Sequence, residues 1–205
     1  MDTKSKIREV ALKLFADKGY EQTSLSTIAS EVGIKTPSIY AFFKSKEDLF
    51  LTISEEVFIH HYEYIRMVSD DLNNETAERK LLTILEEMYN YHLKEETKTN
   101  FYRRFMMFSP EGLDGPIKEA FIKSDVLLSS ILSEIFTQAI EQNEVRPLEA
   151  DKLINSYLCL MDGLFLQLFY YSKEPEALER RLRSNWEIYW AGIKKEASVQ
   201  LKELF

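Results

Sequence analysis

The sequence predicts an all-α fold of about nine helices, with a short three-helix N-terminal domain followed by a larger helical one. Apolar residues recur at helical spacing almost everywhere, and strand-like alternation is almost absent. Six glycines and five prolines stand among 205 residues. At about 3% glycine, against ~7% in an average protein, the chain lacks the turn supply of a many-stranded β fold. Its length is enough to bury a core without staples. The single cysteine, Cys159, excludes an internal disulfide framework and a cysteine-cluster zinc site.

Each element can be justified in turn. Ile7, Val10, Ala11, Leu14 and Phe15 form one apolar stripe, and Gly19 supplies the stop of the first helix. Leu25, Ile28, Ala29 and Val32 share a face of the second, which Gly33 ends. Thr36-Pro37 opens a brief third helix, about 37–43, because proline in a first turn gives up no hydrogen bond. Ser45 with Asp48 is a capping box that starts a fourth helix running to about 68. A fifth helix at about 75–94 turns Leu81, Leu82, Leu85, Met88, Tyr89 and His92 inward, and a sixth spans about 98–108. Ser109-Pro110-Glu111-Gly112 and Gly115-Pro116 mark the clearest break. Helices at about 117–143 and 148–172, and one from 175 to near the end, complete the set.

Lys and Arg number 26 against 34 Asp and Glu, a net charge of −8, so non-specific coating of nucleic acid is disfavoured. The first 50 residues carry eight basic and seven acidic side chains, and this near-neutral piece can still bind DNA through a few placed contacts. The first twenty residues mix charges and apolar residues, unlike a secretory leader. The apolar stretch 157–171, broken by Asp162 and Gln167, reads as too short for a bilayer. The expectation is a cytoplasmic protein with no membrane partner. No P-loop, nucleophile elbow, dinucleotide fingerprint or paired metal motif is present. His60 and His61 are adjacent and point to different helix faces, so neither an enzyme, a cofactor nor a metal site is expected.

Residues 24–43 have the spacing of a helix-turn-helix. Ile28, Ala29, Val32, Ile34 and Ile39 lock two helices at a fixed angle; Ala29 is small where they cross, and Gly33 permits the turn. The second helix then offers its N-terminal residues to the major groove. Leu14-Phe15, Gly19-Tyr20, Thr23-Ser24, Ile28-Ala29, Val32-Gly33-Ile34, Ser38-Ile39-Tyr40, Phe43 and Ser45-Lys46-Glu47-Asp48-Leu49 follow one another at separations that resemble the TetR family of transcriptional regulators. The resemblance covers about residues 4–55.

It implies a DNA-binding domain at 1–50 and a helical effector-binding and dimerisation domain at 51–205. By the same resemblance, Tyr40 and Lys46 contact phosphates, Thr23 or Ser24 combines capping with a backbone contact, and Lys35, Thr36, Pro37 and Ser38 meet base edges and neighbouring phosphates. The chain departs from the family at Ala41, often histidine, and at Phe42, often a second aromatic hydroxyl. No arginine or asparagine lies on the exposed face of the reading helix, so specificity rests on Lys35, Thr36, Ser38, apolar contacts and DNA shape.

The last helix repeats Leu178, Leu182, Trp186, Trp190, Ile193, Ala197, Leu201 and Leu204 every three or four residues, and the eighth is apolar nearly all round. The family resemblance implies that these two helices pair with those of a second copy, through Tyr157, Leu164, Leu182, Trp186, Trp190 and Ile193. It also implies an effector pocket in the middle helices. Met88, Tyr89, His92, Phe101, Tyr102, Phe105, Met106, Phe108, Phe121, Met161 and Phe165 are candidates to line it, with Asp162, Gln167 and His92 as orienting groups. Cys159 is expected to be a buried thiol. The expectation is thus a homodimeric repressor released from a palindromic operator of double-stranded DNA by a small apolar or amphipathic effector, coupled through the fourth helix. A TetR-like activator and a helical protein-interaction module without DNA binding remain as alternatives.

Overall fold

Local sequence signals set the ends of the helices in the computed structural model, which describes residues 2–171 and 174–196. Helix α1 (Thr3–Lys18) starts at Asp2, whose carboxylate accepts from the Ser5 amide at 2.9 Å. It ends at Gly19, whose φ of 85° suits a residue without Cβ. Helix α2 (Leu25–Val32) is capped by the Ser24 hydroxyl, which accepts from the Thr27 amide at 3.1 Å, and stops at left-handed Gly33. Helix α3 (Thr36–Ile39) is shorter than the expected 37–43, because the amides of Phe42 and Phe43 both donate to the Ile39 carbonyl and close the turn. Helix α4 (Lys46–Asp71) has the expected cap: the Asp48 amide donates to Ser45 Oγ at 3.0 Å, while the Asp48 carboxylate accepts from the Lys44 amide at 2.7 Å.

Helices α5 (Ala77–Lys94), α6 (Glu96–Met107), α7 (Asp114–Glu141), α8 (Ala150–Tyr171) and α9 (Pro175–Ile193) follow. Gly115-Pro116, expected as a break, instead forms the first turn of α7, where proline's missing N–H has no helical partner to lose. The expected stripe residues Ala197, Leu201 and Leu204 lie outside the described residues. Among the described residues the only β pairing is an isolated bridge between Val145 and Lys194.

The chain divides into two compact units, residues 2–67 with 90–128 and residues 68–89 with 129–196. In the first, Ile7, Phe15, Ile28, Ile39 and Phe50 are fully buried in one core that continues to Phe101 of α6 and Ile117 of α7. Phe50 of α4 is its centre, with ring centroids 5.2 Å from Phe15, 4.9 Å from Tyr20 and 4.8 Å from Phe105. Packing therefore runs through position 50 without a break.

In the second unit, Tyr157 donates its hydroxyl to the Leu81 carbonyl at 2.6 Å, and Trp186 and Trp190 stack with centroids 5.6 Å apart. Tyr157, Leu164, Leu182, Trp186, Trp190 and Ile193 are all buried inside their own chain. Their periodicity thus records the internal core of this unit, and the exposed sides of α8 and α9 are the opposite ones. Cys159 lies on that exposed side of α8, contrary to the expected burial, because a helix apolar all round buries only the face its neighbours reach. Helix α8 spans 22 residues, and its most apolar 18-residue window has mean hydropathy 1.3 with 33% of it buried, long and apolar enough to cross a membrane by length and composition.

Candidate DNA-binding interface

Four of the expected DNA contacts, Lys35, Pro37, Ser38 and Tyr40, are exposed on and beside α3, with Thr36 partly so. Tyr40 is 58% exposed while its neighbour Ile39 is fully buried, so the helix is anchored by one side chain and presents the next. Ser24 is exposed at the head of α2, where Ser26 Oγ and Thr27 Oγ1 lie 2.7 and 2.9 Å from its hydroxyl. Three hydroxyls at a helix N-terminus favour an anion.

Thr23 does not join them. It is 1% exposed, and its hydroxyl is shared between the carbonyls of Gly19 at 2.8 Å and Leu14 at 3.2 Å. It closes the turn between α1 and α2 and cannot touch a phosphate, which corrects the expectation for this residue. Lys46 stands at the first position of α4. Its ammonium donates to the Tyr20 carbonyl at 3.0 Å and lies 3.9 Å from the centroid of the Tyr20 ring. One of its three N–H donors is so used, and the side chain is held against Tyr20, between α1 and α2, instead of sweeping free.

Two cations escaped the sequence reading. Lys44 is exposed between α3 and α4, and Lys4 Nζ lies 5.7 Å over the ring of Phe43, which closes the same turn. The signal for Lys44 was its position two residues before Lys46; Lys4 had none, since only the fold brings α1's start to this turn. Phe42 is 41% exposed, an apolar group where the family often has a donor.

The expected effector residues fall into both units. In the first, His92, Phe101 and Phe105 are buried and Tyr102, Met106 and Phe121 partly buried, whereas Phe108 is exposed at the end of α6 and lines no interior. His92 Nδ1 lies 3.1 Å from Thr99 Oγ1, whose hydroxyl donates to the His92 carbonyl at 3.0 Å. The His61 ring packs 5.0 Å from that of His92, and its Nε2 is buried without a partner. Burial, reinforced by its neighbour His60, lowers the His61 pKa to about 4; burial, with His61 close by, lowers that of His92 to about 2. Both rings are therefore neutral near pH 7. In the second unit Met88 and Met161 are buried, Tyr89 and Phe165 partly so, and Asp162 is exposed. Asp162 thus points away from that unit's interior and is corrected as an orienting group.

A buried three-helix core with an exposed short reading helix and cations at its edges defines a helix-turn-helix DNA-binding protein. Residues 7–53 match the family described as bacterial regulatory proteins, tetR family. An HTH-type transcriptional regulator of Staphylococcus aureus (strain MRSA252) is 29% identical over 175 residues, 77% of this chain and 93% of the relative. Among solved structures, the transcriptional regulator FadR from Bacillus subtilis in complex with stearoyl-CoA superposes with TM-score 0.73 at 20% identity, over 92% of this chain and 98% of that one. The ketosteroid transcriptional regulator KstR2 of Mycobacterium tuberculosis gives 0.67 at 18%, over 95% and 96%. Residues 7–53 thus carry a TetR-type DNA-binding domain, and over most of its length the chain is similar to TetR-type transcriptional regulators. The curated relatives it matches are described as HTH-type transcriptional regulators.

Proposed function

We propose that the protein is a homodimeric repressor, acting in the cytoplasm, that leaves a palindromic operator when a small apolar or amphipathic effector binds. The observation that carries the DNA reading is the exposed row Lys35, Pro37, Ser38 and Tyr40 beside a held Lys46. So few base contacts from a four-residue helix give useful affinity only when two copies bind together. In this reading residues 1–50 bind DNA, and 51–205 bind the effector and pair the subunits.

The pairing reading is supported by α8, where Leu166 is 45% and Tyr170 82% exposed. Its exposed side runs through Cys159, Gly163, Leu166 and Tyr170, and α9 exposes Ser184, Ile188 and Gly192. Gly163 and Gly192 have open space where a Cβ would stand, so a second pair of helices can approach closely. Asp162 on the same side of α8 suits a protein partner better than lipid.

An effector in the first unit would be met by His92, Phe101, Tyr102, Phe105, Met106 and Phe121. A neutral imidazole among rings favours an uncharged donor or acceptor on an apolar body. The stearoyl-CoA bound by FadR shows that a protein of this fold accommodates an amphipathic ligand. Coupling would run along α4, which carries Lys46 at one end and His61 further on.

The test is selection of bound duplexes from a randomised pool at moderate salt, followed by sequencing. A two-fold symmetric site whose affinity falls steeply with salt is the expected result. No enrichment by pure, ligand-stripped protein would leave the helical interaction module as the reading.

A further inference from the structure

A groove of about 720 Å³ lies within the first unit, between the turn joining α1 to α2 and the C-terminal end of α6. That is inside the roughly 300–1,000 Å³ of small-molecule sites. Lys18, Gly19 and Tyr20 contribute one wall, and Arg104, Met107 and Phe108 the other. Met107 is 62% exposed and Phe108 78%, two consecutive large apolar side chains left in water.

Two of the cations beside them, Arg104 and Lys18, lack acidic partners. Arg104 Nη2 donates to the Asp17 carbonyl at 3.1 Å, and its guanidinium lies so close to Gly19 that an added Cβ there would stand 2.9 Å from Nη1. Among the described residues no carboxylate pairs with Arg104 or Lys18. Glu21 and Glu111 also line the groove and leave it, with Arg103, one charge positive in a chain of net −8.

We propose that this groove binds an amphipathic carboxylate, its tail over Met107 and Phe108 and its head on Arg104 and Lys18. A small inorganic anion leaves the two apolar side chains in water, and a neutral hydrocarbon leaves the cations unanswered; an acid with an apolar body satisfies both. The site is apart from the proposed effector residues except at Phe105, which lines both. Because its walls are the α1–α2 turn and α6, an occupant bridges the DNA-reading helices to α6. Only this regulatory consequence rests on the DNA-binding reading.

Calorimetric titration of the full chain with decanoate, and separately with decanol, tests the site. Decanoate should bind one per chain, with decanol about tenfold weaker, the loss of one charge-assisted contact. Phe108→Ser and Lys18→Gln, both at exposed positions, should each weaken decanoate several-fold with the helical circular dichroism unchanged. Amide resonances of Gly19 and Gln22 should shift in the wild type alone. Absence of decanoate binding, or binding indifferent to both substitutions, overturns the proposal. The titration contains no DNA, so failure to select an operator leaves its outcome intact.

Discussion

Two neighbouring types of hydroxyl serve opposite purposes in the DNA-binding half. Tyr40 carries its hydroxyl into solvent beside α3, while Thr23 spends its own on the carbonyls of Gly19 and Leu14. Tyr40→Phe should therefore lower operator affinity about three- to tenfold, the loss of one phosphate hydrogen bond, and leave the urea midpoint unchanged. Thr23→Val should do the reverse, destabilising by about 1–2 kcal/mol with operator affinity per folded molecule retained. Parallel filter binding and urea titration separate the two, and a Tyr40→Phe protein with wild-type affinity would remove Tyr40 from the interface. The motif singled out Tyr40 as a candidate contact, and the fold leaves it 58% exposed. The motif put Thr23 in the same class because a threonine before a helix reads as a cap, and only the folded turn shows two carbonyls converging on its hydroxyl.

At the scale of helices, apolar period was a faithful guide to where elements lie and a poor one to what covers them. Trp186 and Trp190 repeat at the spacing of a partner-facing stripe, yet both are buried in their own chain, because internal packing and subunit packing demand the same residue types. The informative residues on α9 are instead the exceptions on its polar side, above all Ile188, 78% exposed. Ile188→Glu should leave the helical content intact and weaken self-association on the order of 100-fold, since each subunit loses a buried isoleucine and gains a desolvated carboxylate. Sedimentation at graded concentration reads this directly. A variant that stays fully dimeric would move the interface off this side of α9. Cys159 was misjudged for the same reason in reverse: within an apolar helix, sequence does not say which side its neighbours reach.

For the molecule as a whole, acid is the natural stress. His61 and His92 have folded pKa values lowered to about 4 and about 2, whereas in the unfolded chain they titrate near 6.5. The unfolded state then binds more protons as pH falls, so the stability these neutral rings hold above about pH 6.5 is lost toward pH 4 for His61 and pH 2 for His92. Between pH 7 and pH 5 each accounts for a loss of about 2 kcal/mol at most. Urea midpoints at the two pH values should differ accordingly, and His61→Phe should shrink that difference; an undiminished difference would remove His61 as a source. The adjacency of His60 and His61 argued against chelation in the sequence, but the approach of His61 to His92 from another helix had no local signature. The stacked pair in α9 has an optical consequence. The chain's two tryptophans, Trp186 and Trp190, both belong to the second unit. Intrinsic emission excited at the red edge therefore follows the melting of that unit alone, and the DNA-reading half unfolds spectroscopically dark unless a tryptophan is placed there.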